Sequence, residues 1–306
     1  MKGTARAAPP AILAAVTYAA IFDYPLTAAQ VAESLIGVRA DRDAVLRCWR
    51  RSPILQAAIE RHGEFLIPVG RADLLATRAR REATSRLLLA RHRGLLRLVA
   101  ALPFVRMVAL SGSLAHLNAD DDGDVDLFVI TAPGRVWLVA VMAILLARLC
   151  GWRRRLCLNY LVSERALTVP SGDLFSANQI LHLRPVAGHE TYLRFLAANP
   201  GVRSMYPNFH PRPLLDGLAV GPAATRVRRA VEWLAAGPSL MLERLCRLAY
   251  RRYLEQRAGA WASRDQVQLA PEILKLHTAS HRARVMARFD TALARAHAPA
   301  ARQRIG

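Results

Sequence analysis

The most constraining feature of this chain is the run from Val136 to Ala147, which contains no polar side chain. Such a run has to leave water. A membrane-spanning helix needs roughly 20 apolar residues, and this run is shorter. Arg135 and Arg148 flank it, and Arg153, Arg154 and Arg155 follow closely. It therefore reads as a buried helix of an α/β core, and no transmembrane segment is expected. Its neighbours fit that reading. Val105 to Leu110, apolar apart from Arg106, has the pattern of a buried strand. Asp124 to Thr131 reads as a second strand, and Leu156 to Val162 as a third.

The flanking sequence has a different character. Ala11 to Phe22 reads as an apolar helix broken by Asp23-Tyr24-Pro25-Leu26, since proline restricts the residue before it. Thr27 caps a second helix and Asp41 a third, which Ser52-Pro53 ends. Two extended runs follow, Ile54 to Glu60 and Glu64 to Val69, joined by Arg61-His62-Gly63. Three helices and then a hairpin is a winged-helix pattern. A long arginine-rich helix is expected from Ala72 to Ala101, ended by Pro103. Beyond Pro170 no strand is expected. Helices are placed at Phe175–Leu183, Glu190–Ala198, Pro222–Arg257 and Pro271–His297, with a Pro-rich linker at Tyr206–Pro213. The fold class is thus α+β, in three parts. Residues 1–71 form a winged-helix-like module and 72–186 a small mixed-sheet core that includes the long helix. Residues 187–306 form a helical C-terminal region.

With 53% hydrophobic residues the chain can bury a sizeable core, which excludes a largely disordered protein. Its 43 Lys and Arg against 23 Asp and Glu give a formal charge of +20. Lys2 and Lys275 are the only lysines, so this charge is nearly all arginine. A chain this basic attracts polyanions such as nucleotides, nucleic acid or anionic membrane surface. The arginines are scattered, however, which suits a solvated basic surface equally well. The segment Met1–Pro10 is basic and lacks the apolar stretch of a secretory signal. Cys48, Cys150, Cys157 and Cys246 form no C-x-x-C pair and read as reduced, mostly buried thiols of a cytoplasmic protein.

Against this positive background, Asp120-Asp121-Asp122-Gly123-Asp124-Val125-Asp126 is anomalous. Carboxylates crowded together repel unless a cation or solvent offsets them. Residues two apart on a strand share a face, so Asp124 and Asp126 point the same way at the mouth of a buried strand. Two carboxylates there suit Mg²⁺, a hard cation that keeps waters and binds substrate phosphates. Upstream, Ser111-Gly112-Ser113 ends the preceding strand and opens a short helix over Leu114–Asn118. Glycine lets backbone N–H groups approach a phosphate, and the helix N-terminus and Ser113 hydroxyl add donors. Phosphoryl transfer needs this combination of positioning and neutralised charge.

Ser111-Gly112-Ser113, ten intervening residues, then Asp124-Val125-Asp126-Leu127 resembles the signature of the DNA polymerase β-like nucleotidyltransferase superfamily, over about Val105 to Val162. Ser111 stands where the family has an apolar residue. The resemblance implies that Gly112 and Ser113 hold nucleotide phosphates and that Asp124 and Asp126 hold the metal. It further implies Mg²⁺-dependent transfer of a nucleoside monophosphate from an NTP to an acceptor, which the basic composition leaves open as nucleic acid or protein. The family adds a third acid on a later strand. The polar position of the matching strand here is Asn159, which can ligate a metal but cannot serve as a general base near neutral pH. Glu164 and Asp173 are nearby in sequence and are candidates to substitute. The competing reading is a catalytically degenerate module that senses nucleotide or binds nucleic acid or protein. An Asp-x-Asp glycosyltransferase fits less well, because that fold places a nucleotide-binding α/β unit before the motif.

Other residues carry weaker signals. His277 and His281 stand four apart on the expected last helix, a spacing that can bind metal, although an exposed helix face explains them as well. His116 can reach a phosphate or sit on the surface. Arg135 can contact nucleotide or simply flank the buried helix. In the N-terminal module, Arg42, Arg47, Arg50 and Arg51 on the third helix and His62 in the wing are the residues through which it would bind DNA.

Overall fold

The computed structural model describes residues 8–169, 172–218, 220–277 and 280–302. Met1–Ala7, with Lys2 and most of the basic N-terminal segment, lies outside them. The first module runs α1 (Pro9–Ala20), β1 (Leu26–Thr27), α2 (Ala28–Glu33), α3 (Arg42–Arg51), α4 (Pro53–Ala58), β2 (Ile59–His62) and β3 (Phe65–Pro68). Its three strands pair antiparallel in the order β1-β3-β2, the arrangement of a winged helix. Thr27 and Gln30 form a reciprocal capping box at α2, and Asp41 caps α3 through Ala44 N. One expectation fails here. Ile54 to Ala58 is helical, because Ser52 caps a new turn that Pro53 opens in its favoured first position. The strand starts only at Ile59.

The linking segment is also broken, into α5 (Asp73–Arg91) and α6 (Arg93–Ala101). The bend at His92 lets α6 bury Leu95, Leu96, Val99 and Ala100, whereas α5 buries only Leu74 and Ser85. Next come β4 (Val105–Leu110), the single turn α7 (Gly112–Ala115), β5 (Val125–Thr131), α8 (Val136–Leu149) and β6 (Leu156–Ser163). The apolar run is thus a core helix. Among the described residues no helix is long and apolar enough to cross a membrane.

Beyond Ser163 lie α9 (Leu174–Leu181), β7 (Arg184–Ala187), α10 (His189–Ala197), α11 (Pro200–Met205), α12 (Pro222–Leu234), α13 (Pro238–Gln256), β8 (Val267–Ala270), β9 (Ile273–Leu276) and α14 (Arg282–Arg302). Three strands therefore come from a region where none was expected. β7 carries Pro185, which cannot complete a central ladder and sits here on the sheet edge. β8 and β9 form a hairpin around Pro271-Glu272, with Ala270 opposite Ile273. That proline opens a turn instead of a helix, so His277 and His281 precede α14 instead of sharing a turn of it.

The core sheet is mixed, in the order β7-β4-β5-β6-β9-β8, with β5 and β6 parallel across the α8 crossover and the other pairs antiparallel. The period of two gives it two apolar faces. Val108, Leu110, Leu127 and Val129 pack under α6 and α8, and α13 packs on α8 as an outer layer. Met107, Ala109, Phe128 and Ile130 pack under α9, α10 and α11. From α13, Glu243 accepts from Trp137 N (3.1 Å) and Leu138 N (2.7 Å), satisfying orphan donors at the start of α8. From the C-terminus, α14 returns to α1, where Phe289 meets Tyr18 edge-on.

Candidate functional site

The two halves of the motif meet. β4 and β5 are antiparallel neighbours, so the end of β4 lies beside the start of β5, and Ser111 N donates to Asp126 O at 2.9 Å. Gly112 has φ +63°, and a Cβ there would overlap the Asp126 carboxylate. Glycine is required on both counts. Asp124 and Asp126 both line the cavity that Ser111, Gly112 and Ser113 also line. Asp124 is exposed and Asp126 half-buried. The turn after Gly112 is four residues long, too short for an appreciable helix dipole. What it offers is the unpaired first N–H groups of the turn.

The third position is occupied as the strand register expects, with an added irregularity. Asp126 pairs with Cys157 and Leu127 with Leu158, but Phe128 pairs with Tyr160. Asn159 is the extra residue of a β-bulge, which re-aims side chains beside a site. Both Asn159 and Tyr160 consequently face the cavity. Asn159 Nδ2 donates to Asp126 Oδ1 at 2.5 Å, and Asn159 Oδ1 accepts from Cys157 Sγ at 2.8 Å. As placed, Asn159 orients the carboxylate. Neither sequence-proposed substitute for the third acid reaches the site. Glu164 follows the far end of β6 and pairs with Arg194 at 2.6 Å. Asp173 caps α9 through Ser176 N and pairs with Arg282.

Burial pushes the Asp126 carboxyl up to about 6; neighbouring Asp124 adds to this, and hydrogen bonds from Asn159 and Cys157 oppose it. Burial, with Asp126 and Asp124 beside it, pushes the Cys157 thiol up to about 12, so it stays protonated. Neither Asp124 nor Asp126 has an ion-pair partner among the described residues. The other acids of the cluster are tied to basic or polar groups. Asp120 pairs with Arg81 (2.8 Å), Asp121 accepts from Thr84 (3.1 Å), and Asp122 lies 3.5 Å from Arg155. Among the described residues no cluster of three or more His, Cys, Asp or Glu is arranged to hold a metal ion. With the Asn159 amide taken up by Asp126 and Cys157, and so not free to ligate a metal as the sequence suggested, the donor set is two carboxylates beside the Gly112 turn. It fits a hard divalent cation that completes its coordination with water and phosphate oxygen.

The cavity is about 710 Å³ and is closed by parts remote in sequence. Tyr18 and Phe22 from the first module wall one side, and Lys275 on β9 with His277 just after it wall another. His116 and His182 also line it, their rings 4.1 Å apart, with Tyr24 edge-on to His116. Burial pushes His116 down to about 4 and His182 well below its ordinary value. Burial also holds His277 at about 4. These imidazoles are neutral at physiological pH. His277 and His281 both line the cavity, although not as a helical pair. Tyr24 and His182 carried no sequence signal of a site. The consecutive Asn159-Tyr160, which breaks the alternation of β6, was the one readable hint.

Arg135 is not part of the site. It is buried at the opposite end of β5 and donates to Ser239 Oγ (2.9 Å) and Ala236 O (3.0 Å), joining α8 to the α12–α13 connection. The four cysteines are free and half-buried. On α3, Arg42, Arg47, Arg50 and Arg51 are all exposed, while His62 pairs with Glu60 at 3.2 Å. No protein-family model, no curated protein and no solved structure matches this chain.

Proposed function

We propose that this chain is a Mg²⁺-dependent nucleotidyltransferase that moves a nucleoside monophosphate from an NTP to an acceptor. The observation that carries the reading is the contact between Gly112 and Asp126. A residue without a side chain lets the backbone of the turn lie directly against a half-buried carboxylate that has no ion-pair partner among the described residues. Asp124 and Asp126 would hold the divalent ion, and the Gly112-Ser113 turn would hold the phosphates. When bound, the ion supplies charge neutralisation for the triphosphate. The chain's own residues orient the reactants: Asn159 fixes Asp126, and the Ser113 hydroxyl and turn N–H groups face phosphate oxygens. The acceptor hydroxyl releases its proton to water as its oxygen bonds to the α-phosphorus, the bond from that phosphorus to the α–β bridging oxygen breaks, and pyrophosphate leaves with that electron pair. The concave cavity and its neutral imidazoles favour a compact acceptor over a duplex.

A second reading has its own observation. Asn159 stands where a third acid would act, and its amide is occupied with Asp126 and Cys157. A module that binds nucleotide without transferring it would look like this. Measuring Mg²⁺-dependent NTP binding and labelled-nucleotide incorporation on the same protein separates the two. Transfer predicts both, abolished together by Asp126→Ala. Binding without incorporation across an acceptor screen favours the sensor, and absence of Mg²⁺-dependent binding removes both.

A further inference from the structure

α12 is turned opposite to a usual surface helix. Its inward face is polar: Glu232 accepts from Phe104 N at 2.6 Å and pairs with Arg106 at 2.9 Å, and Arg228 donates to Ala100 O at 3.3 Å. Its outward stripe is apolar, with Val227, Val231 and Leu234 at i, i+4 and i+7. The helix contains no buried residue. α13 continues the pattern. Its buried side uses Ser239, Glu243 and Leu254, and the opposite side carries Met241, Leu245 and Leu248, again at i, i+4 and i+7. Trp233 is 78% exposed, Leu234 71%, Met241 68% and Leu248 71%. Scattered exposed leucines need no explanation, but aligned stripes on consecutive helices do.

The charge on these helices is equally one-sided. Glu232 is taken up by Arg106 and Glu243 by the start of α8, and Glu255 pairs with Arg251 at 2.7 Å. No acid of α12 or α13 is left for the outward side. Arg226, Arg229, Arg244 and Arg252 are exposed and have no ion-pair partner among the described residues. An aliphatic centre with an aromatic residue and a guanidinium rim is the chemistry of a helix lying in a membrane interface. Leu, Met and Trp enter the headgroup boundary while arginine meets anionic lipid.

We propose that the outward face of α12 and α13 docks this protein on the surface of an anionic lipid bilayer. The helices lie on the membrane and do not cross it. Other occupants fit less well. A second copy would bring two arginine rims together with no acid between them. A nucleic acid would satisfy the arginines but leave the leucine and methionine stripes facing phosphate and water.

The test is flotation of the full chain with phosphatidylcholine vesicles, with and without phosphatidylglycerol. Recovery with the anionic vesicles is expected, with little on phosphatidylcholine alone and a loss as salt is raised. Leu234→Glu with Leu248→Glu changes only exposed side chains, and circular dichroism checks that the fold persists. This variant should lose about tenfold or more of the partitioning, and Arg229→Glu with Arg244→Glu should lose a similar part. Equal recovery on both vesicle types, or none on either, overturns the proposal. So does a dimer in light scattering that the leucine variant dissociates while vesicle recovery is unchanged.

Discussion

The two ends of the same pair of parallel strands treat buried charge in opposite ways. At the far end of β5 and β6, carboxylates are matched by arginine. Glu232 meets both terminal nitrogens of Arg106 at 2.9 and 3.0 Å, and Glu164 meets Arg194. Hydrogen bonds from Arg106 and Phe104 hold the Glu232 carboxyl below its ordinary value despite burial. At the near end, Asp126 is half-buried beside a second carboxylate and is pushed up. In a chain with 43 Lys and Arg, a carboxylate pair with no ion-pair partner among the described residues is informative. The matched end serves the fold. On the function proposed above, the unmatched end keeps its charge for a cation that arrives from solution.

The sharpest way to break this contrast is to truncate one carboxylate from each end. Asp126→Ala should lower labelled-nucleotide incorporation by roughly 10³-fold, about 4 kcal/mol of transition-state stabilisation, while urea unfolding stays cooperative. Initial rates measure it, and an activity within a few-fold of the parent would remove Asp126 from the chemistry. Glu232→Ala should do the reverse. It strands the Phe104 N–H and leaves Arg106 only its longer contact with Glu164 at 3.8 Å, and should destabilise the fold by about 2–3 kcal/mol. Activity per folded molecule should stay near the parent value. An unchanged urea midpoint would show that the far end is not structural. A smaller effect concerns the ion itself. Mg²⁺ well above its dissociation constant should stabilise the parent by about 1–3 kcal/mol, read as a rise in melting temperature. Asp126→Ala should show no rise, and Glu232→Ala should retain it.

Only the near end could be read from the sequence, and the reason is spacing. Gly112, Asp124 and Asp126 are local, and a strand period of two is enough to put the aspartates on one face. Asn159 was placed correctly because it lies on a strong apolar strand, although the bulge that turns Tyr160 to the same side has no unambiguous signature. The far end depends on Arg106 meeting Glu232, more than a hundred residues away, and no periodicity encodes such a pairing. β7, β8 and β9 were missed for a related cause. They are four residues long, two carry or flank a proline, and pairing to the existing sheet overrides their weak local preference. The cavity walls contributed by Tyr18 and His277 follow from those same long-range contacts.

The smallest predicted effect tests the unmatched charge directly. The Asp126 carboxyl is pushed up to about 6 from an ordinary value of 3.8. Between those values the folded protein binds a proton that the unfolded chain does not. This group's contribution therefore favours the fold as pH falls, and its cost is fully present above about 6. Asp126→Asn keeps the shape and removes that cost. Measured with a chelator present, the variant should be more stable than the parent at pH 7.5. The full two-unit shift would correspond to about 3 kcal/mol, and partial exposure reduces the expectation to about 1 kcal/mol. The advantage should shrink as pH falls and vanish near pH 4. His116 and His277, both pushed down to about 4, destabilise the fold across the same range, but they are common to both proteins and cancel in the difference. A variant less stable than the parent at pH 7.5 would mean that the free protein already compensates this carboxylate. The two ends of the sheet would then differ in sequence without differing in physics.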